Sequence, residues 1–320
     1  YTVTGAEYEA IHGCWCKAIK VLPYFCVVHK QDWFIKEKYM PELQKDDMSF
    51  LSRSFERHFN ERPYLKHSCY LYLTKTTKER NRMQSNFSTL CRGHIIPKEL
   101  DKETAGKFME AAEQFERIMN DSGFVRLRRL STDEIVGTEK SAGLIERYFS
   151  LMPEGDTTLQ DIDLSAKEMR IGDKRLCLHT LSDAEDMPGK VATDIRYEKL
   201  STDRSDCRLS FASPVGLLLS CNHIYNQYVI IDNSEENLQK FEKSARNMQS
   251  LSRYSRSNSI NREWIDQYLN EAHSYGLTSV RAHFNVMAWS DDAEELKHIK
   301  NDVGSQLASM ECVPRHNTID

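Results

Sequence analysis

The chain has 320 residues, enough for about two domains or lobes, each with its own core. It is 40% hydrophobic and 28% charged, and no apolar run approaches the ~18 residues that span a bilayer, so no transmembrane helix is predicted. A net charge of -5 argues against the uniformly basic footprint of a dedicated nucleic-acid binder, and nine cysteines at no framework spacing point to reduced thiols in a cytoplasmic compartment. The polar opening at Tyr1 predicts no signal peptide and a fragment cut at both ends from something larger.

In chain order, Thr4-Gly5-Ala6-Glu7 has capping-box spacing, and Tyr8, Ile11, Trp15, Ala18, Ile19 and Leu22 follow on one helix face. Pro23 ends that helix, and Phe25 to Ile35, aromatic and β-branched, reads as a strand. Phe50, Leu51, Phe55 and Phe59 mark a second helix closed by Pro63, and the aromatic stripe Phe50, Phe55, Phe59 is expected in the core. Lys66 to Thr74 alternates as a strand, and Lys75 to Gln84 is a charged loop. A helix carrying Phe108, Ala111, Ala112, Phe115, Ile118 and Met119 is predicted to end at Gly123 and lead into a strand from Phe124 to Leu130, with Arg126 and Arg128 on its wet face. Ser131 and Thr132 start a further helical stretch ending in Leu144, Ile145, Tyr148 and Phe149.

Pro153 to Thr158 has turn chemistry and is the candidate boundary between lobes at 1–152 and 153–320. Beyond it, Met169-Arg170-Ile171 and Arg175 to Leu178 flank Gly172-Asp173-Lys174 as a hairpin, and Val215 to Ser220 with Tyr225 to Ile231 read as a second. Ser182 to Ser205 is a long polar connection. Two amphipathic helices follow, one from Asn233 with Leu238, Phe241, Ala245, Met248 and Leu251, the other with Trp264, Ile265, Tyr268, Leu269 and Ala272 before a Gly276 cap. Val280, Ala282, Phe284, Val286 and Ala288 then share one strand face. Ser290 is expected to cap the helix after them, with Asp291 and Asp292 in its first turn and Leu296, Ile299, Val303, Leu307 and Met310 on its apolar face. The order implies an α+β or mixed α/β chain in two lobes of helices on mixed or antiparallel sheets, which ferredoxin-like split βαβ units would realise naturally.

No GxxxxGK[ST] loop, GxSxG elbow, HExxH helix, GxGxxG turn or zinc-ribbon spacing is present, so catalytic, cofactor and metal residues are expected to be absent. Cys14 and Cys16, two apart on a helix, point in different directions and cannot easily close on one metal. Cys221 and His223 lack an orienting acid nearby. Trp33 and Trp289, near strand ends beside charged neighbours, are expected to be buried, with an exposed partner anchor as the alternative, and Asp46-Asp47 and Glu235-Glu236 suit helix starts.

The runs AEYEAIHGCWCKAIKVLP, CYLYLTKTTKER, MRIGDKRLCLHTLSD, LSFASPVGLLLSCNHIYNQYV and RAHFNVMAWSDD, with others spread over nearly the whole chain, resemble the N-terminal region of the TraG conjugation ATPases of Bacteroides-type conjugative transposons, which belong with the VirB-type ATPases of type IV secretion. The resemblance implies a non-catalytic N-terminal assembly and coupling domain, with ATP and Mg bound only by a RecA-like domain downstream of Asp320. It further implies a cytoplasmic protein peripheral at the inner membrane. Its expected partners are inner-membrane components of the conjugation apparatus, its own ATPase domain and further copies of itself. Arg246, Arg253, Tyr254, Arg256 and Arg262, interleaved with serines and asparagines, are the candidate contacts for a partner or for DNA. A nucleic-acid-binding module built on Arg246 to Arg262 is the alternative function; a hydrolase around Cys221 and His223 is a third.

Overall fold

The computed structural model describes residues 4–39, 48–78, 100–152, 160–165, 168–181, 183–189, 191, 195–251 and 254–317. Most of the charged loop 75–84, the pair Asp46-Asp47, the boundary 153–158, part of the connection 182–205 and Arg253 lie outside them.

Eight strands form the main sheet: β1 (Cys26–Lys38), β2 (Pro63–Lys75), β3 (Ile162–Leu164), β4 (Met169–Ile171), β5 (Lys174–Leu181), β6 (Asn222–Ile231), β7 (Val280–Ser290) and β8 (Arg315–Asn317). The helices are α1 (Gly5–Lys20), α2 (Phe50–Asn60), α3 (Lys102–Asp121), α4 (Thr132–Val136), α5 (Leu144–Ser150), α6 (Ser234–Leu251), α7 (Arg256–Tyr275) and α8 (Ala293–Ser309). The strands run β2-β1-β6-β7-β5-β4-β3, every described pairing antiparallel, and the fold is α+β. On its outer edge β5 gives Lys174–Leu176 to β4 and Leu178–Thr180 to β8. Thus β7, α8 and β8 make a split βαβ unit, with β7 and β8 parallel on either side of β5. The strands of both anticipated lobes belong to this one sheet, since β1 meets β6 from Val27↔Ile230 to Phe34↔His223.

Alternation sorts each strand to two faces. On one face, Cys26, Val28 and Ile231 pack under Ala18 and Leu22 of the α1 region and Phe115 and Met119 of α3. Farther along the same face, Cys177, Val286 and Ala288 lie under Ile299, Val303 and Leu307 of α8. Each fully buried Val, Leu, Ile, Phe or Met side chain among them contributes about 1.5–3 kcal/mol by leaving water. The opposite face buries Trp33, Ile35, Leu176, Ile224 and Trp289 with Leu151, which follows α5. Both tryptophans are therefore core, although charged residues neighbour them in the sequence.

Several elements depart from the sequence reading for local reasons. Phe124 to Leu130 forms no strand. The Asn120 side chain accepts the Leu127 amide at 2.6 Å and reaches the Leu127 carbonyl at 3.4 Å, so Arg126 and Arg128 do not share a strand face. The helical stretch from Ser131 breaks at Gly137 (φ 95°) into α4 and α5. Val215 to Ser220 is no strand either: Pro214 opens a short π-helical turn to Leu218 that buries Val215, and strand pairing begins only at Asn222. Asp292, rather than Ser290, caps α8; Ser290 ends β7, and its hydroxyl donates to Glu295. Finally, the aromatic stripe of α2 is not core, for no α2 residue is buried and Phe50, Phe55 and Phe59 keep 81%, 60% and 42% of their surface exposed.

Candidate interaction surfaces

The predicted contact residues fall on an arm. From Ile231 the chain leaves the sheet as α6, turns and returns as α7 to rejoin at Val280. Asn233 accepts the amides of Glu235 and Glu236 at 3.1 and 3.3 Å, which starts α6; Gly276 (φ 57°) ends α7 in the left-handed conformation that favours glycine. Phe241 and Tyr268 meet edge to face at 5.1 Å, and Ala245 and Ala272 are buried. At the root, the Ser279 amide donates to Ser234 Oγ at 2.9 Å and Arg281 grips Asp232 through two nitrogens at 2.7 and 3.1 Å. A cleft of about 910 Å³ lies there, lined in part by Phe25, Lys240, Phe241 and Tyr268.

With about 1.5 Å rise per residue, the 18 residues of α6 carry the turn to α7 roughly 27 Å from this root. Tyr254 stands at the turn with 85% of its surface exposed, Arg256 is exposed beside it, and Trp264 on α7 is 65% exposed. Arg246 pairs with Glu242 at 3.5 Å and Arg262 with Asp266 at 3.4 Å, each one helical turn away. The structure thus places Arg246, Tyr254, Arg256 and Arg262 along one end of the arm; Arg253 lies outside the described residues. Trp264, read from the sequence as part of the apolar face, is instead the largest exposed side chain there. Helical periodicity alone did not distinguish it from its buried and half-buried neighbours.

The second projection is at the other end of the strands. Rungs between β1 and β2 continue to Lys38↔Pro63, whereas β6 accompanies β1 only as far as Phe34. Ile35 is still buried and Lys36 still donates to Asn222 Oδ1 at 2.7 Å and to Glu295 at 3.0 Å, so only the tip of the two strands extends past the rest of the sheet; it carries α2, where the Tyr39 hydroxyl donates to Glu56 at 2.9 Å and its ring meets Phe59 at 6.1 Å.

Between the apolar patches, both faces of the sheet hold polar groups that sequence reading did not anticipate. On the face of α1 and α8, buried Asp32 receives Lys30 Nζ, His67 Nε2 at 2.9 Å and Gln227 Nε2 at 3.3 Å. Burial, the largest single influence, pushes its carboxyl up, but hydrogen bonds from His67, Lys30 and Cys69 and the Lys30 charge outweigh it and hold the pKa below the usual aspartate value. On the other face His29 is stacked between Tyr228 at 4.0 Å and Tyr72 at 5.1 Å. Its Nε2 meets Asn226 Oδ1 at 2.8 Å, Asn226 donates to Asn285 Oδ1 at 2.9 Å, and Asn285 Nδ2 lies 3.2 Å from His283 Nε2. With Asn285 as donor, His283 accepts as a neutral ring. Burial lowers the pKa of both histidines.

Around Cys221 the geometry offers no activated nucleophile. Burial pushes the thiol up to about 12, so it stays protonated at neutral pH. The His223 ring nitrogens lie 2.9 Å from the carbonyls of Cys221 and Val215, and Phe34 stacks on the ring at 4.7 Å. Cys14 Sγ donates to the Ile118 carbonyl at 3.4 Å while Cys16 Sγ lies 3.6 Å from His12, so the two thiols point to different partners. Among the described residues, no group of three His, Cys, Asp or Glu is placed to hold a metal ion, and no helix is long and apolar enough to cross a membrane.

No protein-family model matches the chain, and no curated protein matches it.

Proposed function

We propose that this chain is a non-catalytic assembly and coupling domain of a conjugative-transfer ATPase, docking the motor onto inner-membrane partners and neighbouring subunits at the cytoplasmic face. The observation that carries the reading is the arm, whose exposed Tyr254 and Trp264 have the character of interface anchors: large, semi-rigid aromatic side chains with a polar atom at one edge. The lack of a phosphate-binding loop in the sequence and the protonated thiol at Cys221 support a binding role over a catalytic one. Docking is favoured over a nucleic-acid module because Arg246 and Arg262 are matched by acids on their own helices, leaving a weak footprint for phosphates.

The test is conjugative transfer by the full-length motor carrying Tyr254→Ala and Trp264→Ala, beside ATP hydrolysis by the same purified variant. Transfer is expected to fall at least tenfold with hydrolysis retained, since interface anchors of this kind are each worth about 2 kcal/mol or more. Undiminished transfer would sink the proposal. Salt-dependent retention of single-stranded DNA by the parent chain, lost in Arg256→Ala, would favour the nucleic-acid reading instead.

A further inference from the structure

The geometry of α2 points to a membrane-surface helix, one that lays Leu51, Phe55 and Phe59 into the headgroup boundary of a bilayer rich in anionic lipid. These residues are spaced four apart and so share one helix face. All three are exposed, Leu51 the most so, and the Phe55 and Phe59 rings lie 4.5 Å apart as a continuous apolar edge. Arg53 and Arg57 occupy the opposite side, where Phe50 at the first position of the helix is also exposed, and Arg62 follows the helix. Against them stand only Glu56 and Glu61 in this segment, so α2 is locally basic on a chain whose net charge is -5. An apolar stripe on one side and arginines on the other, at low mean hydropathy, is the pattern of a helix lying in the plane of an interface, and the local positive charge complements an anionic leaflet. The placement permits it: α2 sits at the end of the β1–β2 ribbon, past the last rung with β6, so its exposed face, flanked by Tyr39 at Phe59, can meet a flat surface. An 11-residue helix is far too short to span.

The inference rests on the docking proposal only for which membrane α2 meets. Its own measurement needs no motor: flotation of the 320-residue chain with phosphatidylcholine vesicles, with and without phosphatidylglycerol. Binding to the anionic vesicles is expected, weakening as salt is raised. It should drop about tenfold or more in the Leu51→Gln/Phe55→Gln variant, which removes apolar surface while keeping residues compatible with a helix. Arg53→Gln/Arg57→Gln leaves the apolar face intact and should lose most of the preference for anionic over neutral vesicles, a readout that survives if the first variant folds poorly. Absence of parent binding, or equal binding by the parent and both variants, would overturn the inference. So would light scattering that finds a dimer split by Leu51→Gln/Phe55→Gln, for the face would then belong to a second copy. Arm variants that lose transfer but still float normally would separate the two proposals.

Discussion

The arm and the ribbon-borne helix occupy opposite ends of the same strands and handle their apolar residues in opposite ways. In the arm, two helices of 18 and 20 residues cover part of each other's stripe, burying Ala245 and Ala272 and pairing Phe241 with Tyr268. At the other end α2 is alone among the described elements beyond the ribbon, and its stripe stays exposed apart from the Tyr39 ring that meets Phe59. An amphipathic pattern states that a helix has an apolar side; whether that side becomes core depends on a second element being brought to it, which is a matter of topology.

The sheet body that carries both ends should show the largest response. Leu307→Ala in α8 removes a buried side chain from the cluster with Val286 and Cys177, and about 2–5 kcal/mol of stability should be lost in denaturant unfolding. A cost below about 1 kcal/mol would mean that α8 is not the cover of that face. Next, Ala245→Leu forces volume into a buried position of the arm and should cost about 1–3 kcal/mol, with faster amide exchange confined to α6 and α7. Exchange that accelerates in α2 as well would show that the two ends are not independent.

Asp32→Ala should cost a similar 1–3 kcal/mol, since it strips a partner from Lys30, His67 and Gln227, although Lys30 and His67 reach solvent and soften the loss. Because the folded carboxyl titrates below its ordinary value, its stabilisation is full above the unfolded aspartate pKa of about 3.9 and disappears as pH falls through the lower folded value. Asp32→Asn should flatten that acid limb; an unchanged limb would assign it to other carboxylates. A smaller effect is expected from the histidines. His29 and His283 have depressed folded pKa values, so stability should decline as pH drops below about 6.5, where the unfolded chain takes up protons first. Denaturant midpoints at neutral and mildly acidic pH should differ less in His29→Gln than in the parent. The smallest change belongs to α2, where Phe55→Gln should shift stability by no more than about 0.5 kcal/mol. A cost in the range of the arm substitution would show that the stripe is covered after all.

What was legible in the sequence was local. Capping at Thr4, the aromatic and β-branched run of β1, the alternation of β2 and β7, the Gly172 turn, the helix pair and the apolar face of α8 all depend on neighbours within a few positions, and each was read close to its observed place. Where a side chain captured nearby backbone, as Asn120 does at Leu127, or a proline preset a helical turn, as Pro214 does before Val215, the strand reading gave the wrong element. The polar rows escaped notice for a different reason. Asp32, His67 and Gln227 converge only because β1 lies between β2 and β6, and no spacing along the chain encodes that. Of the candidate contacts, the sequence marked the segment but not which side chains emerge from it, and Trp264 was missed.

The pairing of β1 with β6 also governs how the chain is made. His29 finds Asn226 197 residues later. At about 5–20 residues per second of synthesis, the inner edge of β1 waits roughly 10–40 s before its partner exists. Throughout that interval Val27 to Phe34 presents unmatched amides and carbonyls, with Trp33 and Phe34 not yet enclosed, as an open template for any other extended chain. The nascent β1–β2 ribbon is thus the stage of biogenesis at which a holding chaperone has most to protect, and closure of the sheet by β6 ends that hazard.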